Sequence, residues 1–355
     1  MADTAAHLVD RVLPHVPVRQ WVLSLPFALR YRMAYDSRLT AAVLNVFIRA
    51  LFGEYRRRGR QLLGLVSSQC GAVTFVQRFG DALNANVHFH CIALDGIYAA
   101  AAVHERDRAQ TEFHALPAPE DDEVLRLASL VSRRVAALLE RRGIGEQADA
   151  PEADPLSEAE PGMAALLANS VRRRIAIGPN QGHGMIRFGD EIDVDTRAFE
   201  SPRCAMVSGF SVHANLSIDG RDRDRIERLC RYAARPAVST ERLTELPDGR
   251  LLYRLKRPWR DGTSAVVFER QDFMSKLAVL VPAPHAHLTR FHGILAPAAA
   301  WRSLVVPKPE QNIQNAITTA GACSATSAPD EPDAQSPSTS QGRNYTWSQL
   351  MKRVF

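Results

Sequence analysis

Two β-rich segments joined by a short polar turn constrain the fold of this chain most strongly. Residues 71–80 (GAVTFVQRFG) and 86–98 (NVHFHCIALDGIY) are rich in apolar, β-branched and aromatic residues, and their side chains alternate. The linking residues 81–85 (DALNA) are few, so the two strands must lie side by side and run in opposite directions. The pattern therefore predicts an antiparallel sheet.

The second of these strands carries two histidines on one face. Successive side chains point to opposite faces of a strand, so His88 and His90 share one face while Val87, Phe89 and Cys91 share the other. The rise per residue places the two imidazoles about 7 Å apart, close enough to bind one ion. Paired imidazoles are costly to desolvate without a partner. The sequence leaves open a metal site and a solvent-facing pair.

A complete metal site needs a third protein ligand and open positions for substrate oxygens. Gln77 on the neighbouring strand, His213 and His292 are the candidates, and sequence alone does not choose among them. A second pair, His285 and His287, follows prolines in a predicted loop and is the weaker metal-binding candidate.

A predicted helix at about 222–235 carries a candidate nucleophile. Its buried stripe follows helical spacing at Ile226, Leu229, Cys230 and Ala233. Tyr232 lies off this stripe and shares a helix face with Arg225, Arg228 and Arg235. Cations favour a phenolate and attract phosphate, as a tyrosine that attacks a phosphodiester requires. The alternative is a surface tyrosine stacked on arginine. Tyr31 and Tyr35, four residues apart with fewer arginines around them, are interpreted as packing residues.

The charge balance indicates contact with a polyanion. The 355 residues carry a net charge of +5, and most of the basic charge is arginine. Two basic clusters are either solvated surface or candidate contacts to the DNA backbone: Arg56, Arg57, Arg58, Arg172, Arg173 and Arg174. No apolar run is long enough for a membrane helix, and the five scattered cysteines indicate no disulfide framework, so we expect a cytoplasmic protein.

The remaining segments complete an α+β architecture. The patterns predict helices at 36–63 and 121–142, a strand within 204–219, an exposed acidic insertion or linker at 145–162 and disorder at 307–343.

A His-hydrophobic-His strand followed by a tyrosine on a helix resembles the signature of HUH nucleases. Four segments extend the likeness in order: VPVRQWVLSLPFALRY, GAVTFVQRFGDALNANVHFHCIALDGIY, GFSVHANLSIDGRDRDRIERLCRYAARP and HLTRFHGILAP. Together they resemble rolling-circle insertion-sequence transposases of the IS-ninety-one-like type, over about residues 8–307.

The resemblance implies an HUH-nuclease-like antiparallel sheet with flanking helices. It implies that His88 and His90 bind a divalent metal, Mn²⁺ or Mg²⁺, and that Tyr232 is the nucleophile. Members with two tyrosines carry one where Arg228 stands here, so the chain is similar to the single-tyrosine branch. Arg235 follows the tyrosine as it does in the family.

The resemblance also implies a domain organisation. Residues 1–30 would be an N-terminal segment, 31–306 the catalytic domain, 307–343 a linker and 344–355 the start of a truncated C-terminal segment. Family members carry cysteine-rich regions at both ends, and the chain is expected to lack them.

The implied activity is a DNA strand transfer in the bacterial cytoplasm, associated with the nucleoid. Tyr232 would nick single-stranded or melted DNA at transposon ends through a 5′-phosphotyrosine. The alternatives are an inactive DNA-binding remnant and a metal-dependent phosphodiester hydrolase. A cupin would need a glutamate soon after the histidine pair, and a histidine-triad hydrolase would need histidine at Ile92.

Overall fold

The computed structural model describes residues 1–100, 111–144, 154–189, 202–259, 261–282, 286–307 and 345–354. Three sequence-based expectations concern residues outside these ranges. They are the disorder at 307–343 (except residue 307), the first part of the acidic segment and the metal-binding role of His285.

The described elements are short runs of helices interspersed with short runs of strands. The helices are α1 (Ala2–Arg11), α2 (Phe27–Tyr35), α3 (Ser37–Leu63), α4 (Asp121–Arg141), α5 (Pro155–Ala159), α6 (Pro161–Val171), α7 (Arg223–Ala233), α8 (Arg270–Leu280), α9 (Arg302–Val305) and α10 (Trp347–Val354). The strands are β1 (Val18–Ser24), β2 (Gly71–Phe79), β3 (Ala85–Leu94), β4 (Gly96–Ala100), β5 (Thr111–Ala115), β6 (Ile186–Gly189), β7 (Cys204–Val207), β8 (Phe210–His213), β9 (Ser217–Ile218), β10 (Leu243–Glu245), β11 (Leu251–Arg254), β12 (Thr263–Phe268) and β13 (Thr289–Gly293).

The central sheet has the strand order β13-β2-β3-β1-β8-β7, with β9 paired to β1. Every pairing in it is antiparallel, which confirms the mixed α+β class with an antiparallel sheet. β3 lies between β2 and β1 and pairs with both along most of its length. A second antiparallel sheet, β10-β11-β12-β6, lies elsewhere in the chain, and β4 and β5 form a hairpin.

Two predicted strands divide where the backbone turns. The segment 204–219 forms a hairpin because Ser208 and Gly209 both adopt positive φ, the geometry of a two-residue turn between strands. The segment 86–98 separates into β3 and β4 at Asp95. Gly96 is required there, since a Cβ would lie 2.3 Å from the carbonyl oxygen of His114.

The central sheet buries both of its faces. On one face Phe89 and Cys91 pack with α3, α4 and the second sheet in the larger core. On the other face Ile92 and Phe75 pack with α1 and α7 in a smaller core. The histidines of β3 therefore lie on the α7 side of the sheet, as the alternation predicts.

From residue 154 onward, the segment predicted to be an exposed acidic linker forms regular structure. Asp154 is buried, and α5 and α6 follow it. Within the described ranges, no helix combines the length and apolarity that a bilayer crossing requires.

A buried ion pair fixes the junction between β1 and β3. Arg19 donates to both oxygens of Asp95, from Nε at 2.9 Å and from a terminal nitrogen at 2.7 Å. The same guanidinium donates to the Ala214 carbonyl at 2.8 Å. Tyr55 of α3 and Ser217 of β9 also donate to the Asp95 carboxylate. The Asp95 carboxylate, between β3 and β4, thereby joins β1, α3 and β9.

We expect Asp95→Asn to lower the free energy of unfolding by about 3–5 kcal/mol, because it leaves the Arg19 charge buried without its counter-ion. Urea denaturation followed by circular dichroism measures the change. Asp248→Asn, which breaks an exposed pair with Arg250, is the matched control and should leave the midpoint unchanged. An equal effect of the two substitutions would contradict the structural role of Asp95.

Candidate functional site

The two histidines of β3 lie side by side with one nitrogen of each held by the protein. Their ring centroids are 5.0 Å apart. His88 Nδ1 donates to the Asn86 carbonyl oxygen at 2.8 Å, so the lone pair of the neutral ring is on Nε2. His90 Nδ1 lies 2.8 Å from the side-chain amide of Gln20. Rotation of the Gln20 amide by half a turn exchanges its nitrogen and oxygen. The amide oxygen then accepts from Nδ1 of His90, and the lone pair of that ring is on Nε2, as in His88.

Both imidazoles are neutral at physiological pH. Burial, helped by the nearby Arg30 and Arg235, lowers the pKa of His88 to about 4. Burial, followed by His88 and Arg235, lowers the pKa of His90 to about 3. A neutral imidazole offers a lone pair to a metal ion.

Gln77 is the third-ligand candidate that the fold brings next to the pair. It lies directly opposite His88 in the β2–β3 register, so the two side chains share a face. Its amide nitrogen donates to the Ala233 carbonyl at 2.8 Å, which fixes the orientation of the amide. The Gln77 Oε1 atom is buried and has no hydrogen-bond partner.

The other two third-ligand candidates lie elsewhere on the sheet. His213 pairs with Val22, which pairs with His90, so His213 is two strands or about 10 Å away. Its Nε2 lies 2.9 Å from the Ser211 hydroxyl. His292 pairs with Ala72, whose side chain belongs to the opposite face. In the described part of the chain, no three His, Cys, Asp or Glu residues cluster as a metal site. A three-ligand set on this face therefore needs the Gln77 amide.

The fold brings Tyr232 to the histidine pair. The ring centroids of Tyr232 and His90 are 6.0 Å apart, in an edge-to-face arrangement. The predicted apolar stripe of α7 is buried in the smaller core, which leaves Tyr232 36% exposed. The Gln77 bond to Ala233 attaches the last turn of the same helix to β2.

Two cations lie over the tyrosine ring, and only one of them was expected. The Arg235 guanidinium carbon is 4.4 Å from the ring centroid of Tyr232. The Lys256 ammonium is 4.5 Å from it. Arg225 and Arg228 are exposed on α7, as helical spacing predicts. Lys256 comes from the segment after β11. The one weak indication of its role in the sequence was that lysines are rare among the basic residues of this chain.

The environment of the Tyr31 and Tyr35 pair is opposite to that of Tyr232. Tyr31 and Tyr35 donate to the two oxygens of Asp154, at 2.5 Å and 2.7 Å. Burial and the hydrogen bond to that carboxylate raise the pKa of both hydroxyls. An attacking phenolate is disfavoured there, whereas Tyr232 has cations beside it.

The first basic cluster is largely engaged within the protein. Arg58 is buried and donates to the Pro117 carbonyl at 2.6 Å. Arg57 pairs with Glu54 and with Glu123. α3, which carries the cluster, packs on the face opposite the histidines. Of the three, Arg56 is exposed, Arg57 is half-buried and Arg58 is buried.

The second basic cluster lies nearer the site. Arg173 stacks over Trp259, with 4.7 Å from its guanidinium carbon to the ring centroid. Arg172 is exposed. Arg174 is exposed too, and its carbonyl accepts a hydrogen bond from Lys276.

We expect His88 and His90 in metal-free protein to remain neutral down to about pH 5, because their pKa values are lowered. The measurement is an NMR titration of the eleven histidines, with His88→Asn and His90→Asn variants to assign the signals. The signals of both histidines should keep the chemical shifts of the neutral ring well below pH 6.5, which is about the ordinary pKa of a histidine. Midpoints between 6 and 7 for either residue would contradict the buried arrangement.

Comparison with known proteins adds a family. A family model described as "Putative transposase" matches residues 71–302, which is more than half of the chain and includes Gln77, His88, His90 and Tyr232. Searches of curated proteins and of solved structures gave no significant match. The chain belongs to this transposase family.

Proposed function

We propose that this transposase nicks and rejoins single-stranded DNA through a covalent bond to Tyr232, as in the single-tyrosine branch of rolling-circle HUH transposases. The observation that carries the proposal is the position of Tyr232, 6.0 Å from His90 between centroids, with Arg235 and Lys256 over its ring. A nucleophile, a neutral ligand pair and two cations for an anionic substrate lie together.

The residues of the site fit a divalent cation. His88 Nε2, His90 Nε2 after rotation of the Gln20 amide, and the unpartnered Gln77 Oε1 would hold it. Three neutral ligands leave open positions for phosphate oxygens, and an amide oxygen suits Mn²⁺ or Mg²⁺. When bound, the ion supplies Lewis-acid polarisation of the scissile phosphate.

The chain's own residues account for the exchange of bonds. The Tyr232 hydroxyl oxygen attacks phosphorus in line and forms the new P–O bond. The bond from phosphorus to the 3′-oxygen breaks, and that oxygen leaves as a free 3′-OH with the proton that the tyrosine loses. Arg235 and Lys256 offset the negative charge that develops on phosphate and phenol oxygens. The reverse attack by a 3′-OH restores the phosphodiester without an external energy source.

Binding of the substrate rests on arginine. Arg225 and Arg228 are exposed on the tyrosine helix, and Arg172 and Arg173 belong to the nearer basic cluster. Arginine forks bind phosphate in pairs of hydrogen bonds, and such contacts weaken as salt rises. The substrate would be unpaired DNA at the ends of the transposon.

Incubation with single-stranded oligonucleotides and Mn²⁺ should give a covalent protein–DNA adduct that Tyr232→Phe abolishes, because the substitution removes the attacking oxygen alone. Denaturing gels with labelled DNA measure the adduct. Tyr31→Phe is the matched control and should retain it, since that hydroxyl is bound to Asp154. Hydrolysis without an adduct would indicate a metal-dependent phosphodiesterase. Salt-sensitive binding without cleavage would indicate an inactive DNA-binding remnant.

Removal of the Gln20 amide should weaken metal binding, because that amide orients His90. We expect Gln20→Ala to raise the Kd for Mn²⁺ about 10- to 100-fold. Gln77→Ala should weaken binding at least as much, since it removes a ligand oxygen. Electron paramagnetic resonance of free Mn²⁺ measures both. His292→Gln, on the opposite face of the sheet, is the control and should bind Mn²⁺ like the parent. Unchanged affinity in Gln77→Ala would reject the three-ligand set.

A further inference from the structure

Trp259 and the arginines stacked on it lie near the tyrosine site, and of these residues only Arg173 has a role in the function proposed above. The segment after β11 carries Lys256 over Tyr232 and, three residues later, Trp259. Two guanidinium groups stack on the Trp259 ring: that of Arg173 at 4.7 Å and that of Arg187 at 5.3 Å from the centroid. These three residues come from separate parts of the chain, after α6, in β6 and after β11.

Arg30 adds a further cation to this cluster. Burial and the nearby positive charge of Arg173 lower the pKa of Arg30. Its guanidinium also stacks over Phe27, at 4.4 Å from the ring centroid, and Phe27 is largely exposed.

Arg173 has the left-handed conformation that closes the C-terminus of α6, where the Arg174 N–H donates to the Asn169 carbonyl at 2.8 Å. Its φ of +56° lies in the left-handed region, which a residue with a long side chain rarely adopts. Its Nε is buried without a hydrogen-bond partner. A buried donor without a partner is satisfied when a ligand acceptor reaches it, and phosphate oxygens are such acceptors.

We propose that Trp259, Arg30, Arg173 and Arg187 bind the unpaired DNA segment that adjoins the scissile phosphate. A base takes the place of a guanidinium group on the indole, and the guanidinium groups bind the flanking phosphates, which is how proteins bind single strands. The proposal rests on the proposed function for the position of the scissile phosphate. Because a base must leave its duplex to stack on an indole, the cluster selects single-stranded over double-stranded DNA.

The test measures DNA binding in a Tyr232→Phe background, where no covalent adduct forms. Trp259→Ala should weaken binding of a fluorescein-labelled single-stranded oligonucleotide at least about fivefold, measured by fluorescence anisotropy. A duplex of the same sequence should bind with unchanged affinity. Trp347→Ala, a tryptophan of α10 that is 75% exposed, is the matched control and should bind like the parent.

Two further variants keep the test decisive if Trp259→Ala folds poorly. Trp259→Phe retains a stacking ring and should bind within about twofold of the parent. Arg187→Ala should weaken single-strand binding and reduce the salt dependence by about one ion. An abasic site moved along the oligonucleotide should weaken parent binding at one position and have no effect there in Trp259→Ala. Single-strand affinity unchanged in Trp259→Ala, or an equal loss for duplex, would overturn the proposal.

The failure of this inference and of the proposed function are separable. An intact Tyr232 that gives no adduct, with weakened binding in Trp259→Ala, would reject the strand transfer and keep the binding site. Adduct formation with unchanged binding in Trp259→Ala would reject the binding site and keep the strand transfer.

Discussion

The site depends on the antiparallel pairing of β3 with a strand on each side. The register with β2 sets Gln77 opposite His88, and the register with β1 brings Gln20 to the same face as His90. A shift of one residue in either pairing would move these side chains to the opposite face of the sheet. The Arg19–Asp95 pair, at the end of β3, stabilises the register with β1.

The two faces of the central sheet differ: one packs in the larger core, and the other carries the candidate site. Phe89, between the two histidines, is fully buried in the larger core and fixes the strand from behind. On the other face α7 covers the sheet with its apolar stripe, and its last turn receives the Gln77 bond at Ala233. The tyrosine is therefore attached to the strand that flanks the histidines. Neutral imidazoles beside Arg235 and Lys256 make the site positive overall, which favours an anionic substrate.

Local periodicity was sufficient to predict what one strand or one helix determines. The alternation of β3 predicted that Phe89 and the histidines lie on opposite faces, and the spacing in α7 predicted its buried stripe; both are confirmed. The burial of the histidine face by α1 and α7 was not predicted. The division of the strand at Ser208 and Gly209 was not predicted. The turn needs positive φ at both residues, and Ser-Gly is a weaker sequence signal for such a turn than Asn-Gly or Asp-Gly.

Features that join distant segments were beyond sequence reasoning. Lys256 and Trp259 reach the site from the second sheet, and no local pattern links them to α7. The bond of Asp154 to two tyrosines joins an acidic segment to α2 across more than a hundred residues. Arginine clusters were ambiguous for a related reason. Charge density is visible in the sequence, but the partners of Arg57 and Arg58 are set by how α3 packs.

The central claim is that Tyr232, and no other tyrosine, bonds to DNA. Mass spectrometry of proteolysed adduct measures this directly, because the nucleotide remains on the attacking residue. We expect one nucleotide-bearing peptide, which contains Tyr232 with a 5′-phosphate link. A nucleotide on Tyr31 or Tyr35 would contradict this assignment, since both hydroxyls donate to the Asp154 carboxylate.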